Sequence, residues 1–370
     1  MFFKIIGSLA FLIIHFQWSL ESLESSESTL VLTHVLFRHG NRTADKHELY
    51  PNDPYLNENY YPFGNGQLTK IGKRKEFSIG KALRERYNNF LGDYYYPEII
   101  EALSTDYNRT KMSLELVLAG LFPPRAEDLF EDSIFWQPVP FNYLPKDKDK
   151  VLLGVLCPKY LEIYEEISKS EEILQKFAAN SEAFAYISAH SGLNATRFSD
   201  IYNLYFGLST EEEWGFELPY WTKPIWPANI TNLAIQDYFV SMYTSEMRQM
   251  ASGYFLEKLI QDTKKKILSG NFPERKMHLY SAHENNLAEL LMSLNVFDKP
   301  HIPNYGAWIS IEIHFINNIY GVKVIYENHT GEGPQLLSIP NCGSFCPLDQ
   351  FIALTEHLIP SEDLCGIKCV

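Results

Sequence analysis

The 370-residue sequence is poor in basic residues, with 32 Lys and Arg against 46 Asp and Glu, and its formal charge is −14 at pH 7. A chain this acidic repels phosphate backbones, so we expect no nucleic acid partner. Internal repeats and low-complexity segments are also lacking, and the composition is not that of a disordered, collagen-like or coiled-coil protein. The remaining class is globular, with one large domain or two medium ones.

Long apolar runs are rare as well, and the clearest one occupies Ile5 to Leu20. It follows the short basic start Met1 to Lys4, and it spans only about 15 to 16 residues, too few to favour a membrane span. The pattern predicts a secretory signal peptide over residues 1–21, with an uncleaved anchor as the alternative. We therefore expect a secreted protein without a membrane anchor, with the lysosomal lumen as the other destination.

Cysteine is scarce, but its five positions carry information: Cys157, Cys342, Cys346, Cys365 and Cys369. In an oxidising compartment such cysteines form disulfides more often than metal sites. Cys342 and Cys346 could close a small loop, and Cys157 could pair with Cys365 or Cys369. One cysteine would then be left over.

Several catalytic signatures are absent. The sequence has no Gly-x-Ser-x-Gly elbow and no phosphate-binding loop that ends in Gly-Lys-Ser/Thr. His283-Glu284 does not open a zinc-binding His-Glu-x-x-His helix, because Asn285, Asn286 and Leu287 follow. We expect neither a metal ion nor another cofactor.

The apolar pattern alternates between strands and helices. Leu30 to Phe37 is apolar on both faces, as in a buried parallel strand. Further strands are predicted at 101–106 and 277–282, with an antiparallel pair at 308–315 and 320–326 turned by Asn317-Asn318. Helices are predicted at 68–87, with Ile71 on the apolar face, and at 109–121.

The middle of the chain differs from its two ends. Residues 122–237 are rich in proline and aromatic residues and contain helical stretches such as Leu161 to Phe177. The order of strands, helical insertion and strands predicts an α/β domain, residues 28–121 and 238–370, interrupted by a helical cap, residues 122–237.

Three predicted strands each end in a polar cluster. The clusters are Arg38 to Arg42, Ser104 to Arg109 and Ser281 to Glu284. Ligands of α/β sheets bind outside the carboxyl ends of the strands, so these clusters could line one crevice. Together they supply three Arg, two His and one Glu, a set suited to phosphoryl transfer.

The residue types indicate a division of roles. Arg38 and Arg42 flank His39, and guanidinium groups bind phosphate in a bidentate manner. A neutral imidazole at His39 can attack phosphorus and form a covalent phosphohistidine. Arg109, in the first turn of a helix, would join the free backbone amides there.

The five-residue stretch Arg38-His39-Gly40-Asn41-Arg42 resembles the Arg-His-Gly-x-Arg signature of the histidine acid phosphatases. The stretches at 50–55, 66–69, 83–87 and 280–283 agree with that family, in order, from about Leu30 to Cys346. Within the family the sequence is similar to the insect venom, prostatic and lysosomal types.

This resemblance implies a phosphoglycerate-mutase-like α/β sandwich domain with an inserted helical cap, and it leaves a homodimer open. It implies a secreted acid phosphatase acting on small phosphate monoesters or phosphorylated peptides. His39 would be the nucleophile and Glu284 the proton donor. The phosphoryl group would be bound by Arg38, Arg42, Arg109 and His283.

Two positions depart from the family pattern. Thr43 stands where the motif usually has proline, and Glu284 stands where the family usually has aspartate. Because glutamate is longer by one methylene, its proton would arrive from a shifted position. Two alternatives stay open: a catalytically weak secreted binding protein of the same fold, and a phytase-like phosphatase for inositol phosphates.

Five Asn-x-Ser/Thr sequons occur along the chain. Those at Asn41 and Asn108 lie inside the expected phosphate pocket, where a glycan would block the site. We therefore predict glycans on Asn194, Asn229 and Asn328.

Overall fold

The computed structural model describes residues 29–269 and 275–366, so the predicted signal peptide and Cys369 lie outside the described residues. Eight strands form one mixed sheet: β1 (Leu30–Arg38), β2 (Ile100–Ser104), β3 (Asn142–Tyr143), β4 (Met277–Ala282), β5 (Trp308–Ile316), β6 (Ile319–Glu327), β7 (Gln335–Leu337) and β8 (Cys346–Pro347). The strand order is β3-β2-β4-β1-β5-β6-β7, and β8 pairs with β6.

The described α-helices, in chain order, are α1 (Lys70–Leu91), α2 (Asn108–Leu121), α3 (Pro158–Ser168), α4 (Glu171–Ala178), α5 (Ser181–Ser191), α6 (Phe198–Trp214), α7 (Ala228–Ser241), α8 (Ser245–Arg248), α9 (Tyr254–Leu268), α10 (Glu284–Ser293) and α11 (Leu348–Thr355). A π-helical turn, Gln249–Gly253, joins α8 to α9.

The central strand β1 pairs in parallel with β4 and in antiparallel with β5. Alternate residues of β1 face opposite layers, as the period of a strand requires. Val35 and Phe37 pack against α1 and α2, whereas Leu32 and Leu36 pack against α9 and α10. Both faces of the sheet are thus covered by helices, and the predicted α/β sandwich is confirmed.

Helix α1 buries Leu83 and Tyr87 as predicted, but it departs from the predicted apolar face at Ile71. Ile71 is 60% exposed, while Gly72, Ile79 and Leu83 are buried. The reason is close backbone packing, because a Cβ added at Gly80 would lie 2.1 Å from the carbonyl oxygen of Val117 on α2. Glycines therefore lie on the contact face of α1. A prediction based only on large apolar residues does not identify this part of the face.

Between residues 158 and 241 the described chain is mainly helical, and these helices have a core of their own. Phe184 and Phe198 pack there with Ile201, Leu204 and Ile230. The stretch predicted as one helix from 161 to 177 is divided into α3 and α4, because the Ser170 hydroxyl accepts from the backbone N–H of Ile173 and starts a new helix. One piece of the predicted insertion, β3, pairs with β2 at the edge of the sheet.

Two disulfides are formed, Cys157–Cys365 and Cys342–Cys346. The small loop predicted for Cys342 and Cys346 is confirmed, and the partner of Cys157 is Cys365. In the described part of the chain, no helix combines the length and apolar character needed to cross a membrane.

Candidate active site

Three parallel strand ends lie side by side at one edge of the sheet. Arg38 at the end of β1 lies opposite Ala282 at the end of β4, and Ser104 at the end of β2 lies opposite Ser281. The polar clusters that follow these strands are therefore neighbours. The structure brings together all six residues that the sequence analysis assigned to the site.

His39 is held in one defined orientation. Its Nδ1 lies 2.9 Å from the carbonyl oxygen of Gly40, which only accepts hydrogen bonds, so Nδ1 carries the proton. The Nε of Arg109 donates to His39 Nε2 at 3.2 Å, which requires a lone pair there. Burial and the charges of Arg109 and Arg38, together with His283, lower the pKa of His39 well below its usual value. The imidazole is neutral, and Nε2 is its nucleophilic atom.

Arg38 is packed between aromatic rings. Its guanidinium carbon lies 3.8 Å from the centre of the Tyr305 ring and 5.3 Å from that of Phe206. Nη1 donates to the carbonyl oxygen of Pro303 at 2.6 Å. Nη2 is buried and has no hydrogen-bond partner among the described residues. An unused buried donor of this kind is available to an anionic ligand.

The other two arginines are each positioned by an acid. Arg42 makes a bidentate pair with Glu48 and also donates to the carbonyl oxygen of Thr43 at 3.0 Å. Arg109 donates to Asp45 Oδ2 at 3.4 Å. Asp45 caps the short 3-10 turn that contains Glu48, so one turn supplies the partners of both arginines.

His283 is fixed by residues of the segment between β2 and α2 and by His39. Its Nε2 lies 3.0 Å from the hydroxyl oxygen of Thr105, and its ring meets those of Tyr107 and His39 edge to face, with centroids 4.9 and 5.5 Å apart. Burial and the nearby Arg109 lower its pKa to about 3. His283 is therefore neutral and offers hydrogen bonding rather than charge.

Glu284 opens helix α10 directly after His283. The hydroxyl of Tyr202 donates to its Oε1 at 2.5 Å, and Arg38 Nε lies 3.3 Å from its Oε2. Burial would raise the pKa of Glu284, but Arg38, His283 and the Tyr202 hydroxyl together lower it to about 2. In the empty site this carboxylate is the ion-pair partner of Arg38.

The loop that carries the arginines is packed tightly on α1. A Cβ at Gly40 would lie 2.7 Å from the carbonyl oxygen of Gly72, so the absent side chain serves backbone packing. Thr43 also ties the loop down, since its hydroxyl donates to the carbonyl oxygen of Gly64 at 2.6 Å and accepts from the N–H of Gln67 at 3.1 Å. Hydrogen bonds thus anchor the position where the family usually has proline.

Several residues of the site escaped the sequence analysis. Asp45 and Glu48 lie close to Arg42 in the sequence, and their charges were the signal that could have found them. Tyr202 and Tyr305 are uncharged and lie outside the three clusters, and no local pattern distinguishes them from other aromatic residues.

The site opens into a cleft of about 550 Å³ between the sheet edge and helices α3, α6 and α7. His39, Arg42, Arg109 and His283 line one end, which we call the phosphate end. Tyr160, Tyr164, Tyr238, Asp237 and Glu289 line the other, which we call the leaving-group end. Within the described ranges, no group of three or more His, Cys, Asp and Glu side chains could hold a metal ion.

Comparisons with known proteins agree with this geometry. Residues 29–327 match the family model of the histidine phosphatase superfamily, branch 2. The chain belongs to this family. It is 34% identical to the venom acid phosphatase Acph-1 of Apis mellifera over 339 residues, 91% of this chain and 87% of the relative. It is 31% identical to the human lysosomal acid phosphatase over 333 residues, 89% of this chain and 78% of the relative.

A solved structure supports the fold of this histidine phosphatase. The Klebsiella sp ASR1 phytase superposes with a TM-score of 0.65 over 90% of this chain and 98% of its own. The two sequences are only 15% identical, so this likeness concerns the fold alone. The predicted family is confirmed.

Proposed function

We propose that this chain is a secreted acid phosphatase that hydrolyses phosphate monoesters through a phosphohistidine at His39. The observation that carries the proposal is the orientation of His39. Its Nδ1–H is bound by Gly40, and its Nε2 lone pair points to the guanidinium of Arg109. A nucleophile beside a phosphate-binding cation is the arrangement that phosphoryl transfer needs.

In the first step, Nε2 of His39 attacks phosphorus while the bond from phosphorus to the leaving oxygen breaks. Arg38, Arg42 and Arg109 neutralise the phosphoryl oxygens, and the neutral His283, held by the Thr105 hydroxyl, lies beside them. The Nδ1 proton stays on the ring and is donated in a hydrogen bond to the Gly40 carbonyl oxygen. This bond stabilises the positive charge of the phosphorylated ring. The leaving oxygen takes its proton from Glu284.

Glu284 must be protonated for this role, although its pKa in the empty site is about 2. A bound phosphate occupies the free donors of Arg38 and places negative charge beside the carboxyl, and both changes raise the pKa of Glu284. The second pKa of a phosphate monoester is about 6, so in acid the substrate binds as a monoanion with a proton to share. This coupling supports an acidic optimum.

In the second step, the Glu284 carboxylate takes a proton from water as the water oxygen attacks phosphorus. The bond between phosphorus and Nε2 breaks, which releases inorganic phosphate and restores neutral His39. Glu284 acts first as acid and then as base, as microscopic reversibility requires.

The residues of the cleft favour this function over hydrolysis of inositol polyphosphates. Among the described residues that line the leaving-group end there is no Lys or Arg, and Asp237 and Glu289 are present. Additional phosphates on the substrate would meet acids there. A catalytically silent binding protein is also disfavoured, because all three arginines and both histidines keep defined partners.

Secretion is supported by the apolar leader and by the two disulfides, which are typical of oxidising compartments. Asn194 and Asn229 are exposed. The Nδ2 of Asn41 donates to Glu213 at 2.8 Å, so a glycan on that nitrogen would disrupt the phosphate end. Intact-mass analysis of the secreted protein should show removal of about residues 1–21 and no glycan on Asn41.

We also propose that residues 28–121 and 238–370 form the catalytic domain around a cap at 122–237.

The test is a pH profile for p-nitrophenyl phosphate and β-glycerophosphate, with His39→Ala as the control. We expect hydrolysis of both esters on the acid side, abolished in His39→Ala, and an acid-quenched phosphoenzyme only in the wild type. Hydrolysis of the aryl ester alone would show that His39 works and Glu284 does not. Inactivity towards both esters would favour a binding protein.

A further inference from the structure

The two ends of the cleft carry different ionisable groups. The phosphate end holds Arg42 and Arg109, whereas the leaving-group end holds Asp237 and Glu289. We infer that Asp237 and Glu289 form a subsite for an ammonium group on the leaving alcohol, so that aminoalkyl phosphates are preferred substrates. The inference rests on the proposed phosphatase activity and adds a substrate class to it.

Glu289 is the main reason for this assignment. Its side chain lines the cleft although the residue is only 1% exposed. Oε1 accepts from Nδ2 of Asn285 at 3.1 Å, and Oε2 has no hydrogen-bond partner in the described chain. The hydroxyl of Tyr238, which also lines the cleft, is likewise buried and unpartnered. Because unmade buried hydrogen bonds are costly, these atoms indicate a ligand that supplies donors.

The surroundings favour a cation over a neutral donor. Asp237 Oδ1 accepts from the Tyr164 hydroxyl at 2.5 Å, which fixes this second carboxyl at the same end. The rings of Tyr160 and Tyr164 are stacked with centroids 6.4 Å apart, and both line the cleft. Aromatic faces attract ammonium groups, and a primary ammonium offers three donors and no acceptor.

The titration behaviour of the two acids agrees with a missing positive partner. Burial raises the pKa of Glu289 to about 8, and the charges of Glu284 and Asp237 add to the effect. Burial also raises the pKa of Asp237 to about 6, although the Tyr164 hydroxyl opposes it. A bound ammonium would lower both pKa values because it stabilises the ionised carboxylates.

The spacing along α10 requires a spacer between the phosphate ester and the ammonium group. Glu284, which would contact the leaving oxygen, precedes Glu289 by five residues, or about 7.5 Å along the helix axis. The ammonium group would therefore be carried on an alkyl chain. A carboxylate or second phosphate on the same alcohol would find no basic residue among those that define the leaving-group end.

The experiment compares two esters that differ by one group: 2-aminoethyl phosphate and its neutral isostere propyl phosphate. We expect kcat/KM of the wild type to be at least about tenfold higher for the amine, the effect of one charge-assisted hydrogen bond. Glu289→Gln should lower that ratio about tenfold, and Asp237→Asn should also lower it. The matched control Glu211→Gln removes a buried carboxyl that does not line the cleft, and it should leave the ratio unchanged.

A wild-type ratio near one, with p-nitrophenyl phosphate still hydrolysed, would overturn the subsite and leave the phosphatase proposal intact. A ratio that neither Glu289→Gln nor Asp237→Asn lowers would overturn it as well. If Glu289→Gln fails to fold, the wild-type ratio and Asp237→Asn still decide the question. A wild type inactive on all three esters would overturn the function, and the subsite with it.

Discussion

The two ends of the catalytic cleft are built in different ways. At the phosphate end, short segments that directly follow parallel strands present His39, Arg109 and His283, and each arginine has an acid or carbonyl partner. At the leaving-group end, side chains come from helices α3, α7 and α10. Buried polar atoms without partners occur at both ends: nitrogens of Arg38 and Arg42 at the phosphate end, and the Tyr238 hydroxyl and Glu289 Oε2 at the leaving-group end. If the proposed roles hold, the segments that follow the sheet strands determine the chemistry, and the helices determine which alcohol is accepted.

Helix α6 is where the two ends meet. One turn apart on this helix, Tyr202 contacts Glu284, and Phe206 lies beneath the guanidinium groups of Arg38 and Arg42. The proposed proton donor, Glu284, is therefore contacted by a helix outside the sheet layers. Glu284 lies between the two ends. Substitutions of Glu284 should therefore separate effects on the phosphoryl group from effects on the leaving alcohol.

The largest effect is expected at the phosphate end. Arg109→Met should lower kcat/KM about 10³-fold for aryl and alkyl phosphates alike, because Arg109 stabilises the phosphoryl group that they share. It should also raise the pKa of His39, because the largest nearby charge that lowers it is removed. Steady-state kinetics over pH measures both, with Arg125→Met, which does not line the cleft, as the control. A loss of kcat/KM confined to aryl or to alkyl phosphates would contradict the assignment of Arg109 to the phosphoryl group that both share.

The next effect should depend on the leaving group. Glu284→Gln should lower kcat/KM for β-glycerophosphate by about 10²- to 10³-fold and for p-nitrophenyl phosphate far less, because a good leaving group needs little acid catalysis. Glu284→Asp should cost the alkyl ester about tenfold, since the shorter side chain loses the Tyr202 hydroxyl. Unchanged hydrolysis of alkyl phosphates by Glu284→Asp would show that the longer stem has no role.

A smaller effect should come from helix α6. Tyr202→Phe removes a hydroxyl that stabilises the ionised form of Glu284, so the pKa of Glu284 should rise by about one unit. The alkaline limb of the kcat profile, which requires protonated Glu284, should then move to higher pH. Tyr205→Phe, a neighbour on α6 that does not line the cleft, is the control. An unshifted profile would show that α6 does not tune the donor.

The smallest effect concerns the contact between the loop after the phosphate end and α6. Asp53 and Glu211 are buried, and burial and Asp53 raise the pKa of Glu211 to about 9. The folded state binds a proton that the unfolded chain has lost, so stability should fall as pH rises from about 5 towards 9. Thermal unfolding should show Tm falling by a few degrees between about pH 5 and pH 8.

Glu211→Gln tests this contact, because the amide cannot ionise. The decrease of Tm with pH should be smaller in this variant than in the wild type, while exposed Glu246→Gln should behave as the wild type. An equal decrease of Tm with pH in Glu211→Gln and the wild type would mean that another carboxyl causes the pH dependence of stability.

The core strands and the polar clusters at their ends were predictable from sequence. β1 appears as a run of apolar residues, and the hairpin of β5 and β6 turns at Asn317 and Asn318, which both adopt positive φ. These signals are local, since strand period and turn chemistry act over a few residues. The roles assigned to the six site residues stay predictions that the kinetics above would test.

The contact face of α1 was not predictable in the same way. Ile71 looked buried, yet Gly72 and Gly80 form the interface, because backbone approach requires the absence of a Cβ and not the presence of an apolar side chain. Tyr202 and Tyr305 escaped for a related reason. Tyr202 contacts Glu284, 82 residues away, and Tyr305 contacts Arg38, far upstream in the chain. Short-range sequence patterns do not indicate such contacts.

The family, the α/β class and the use of disulfides followed from the sequence alone, and the six site residues were predicted from it, because each depends on local patterns and residue chemistry. Only the tertiary structure decided the tautomer of His39, the ion pair between Arg38 and Glu284, and the acidic character of the leaving-group end. Those properties depend on burial and on atoms brought together from distant segments. Burial changes the pKa of a carboxyl and the cost of an unmade hydrogen bond, and it exists only in the folded chain.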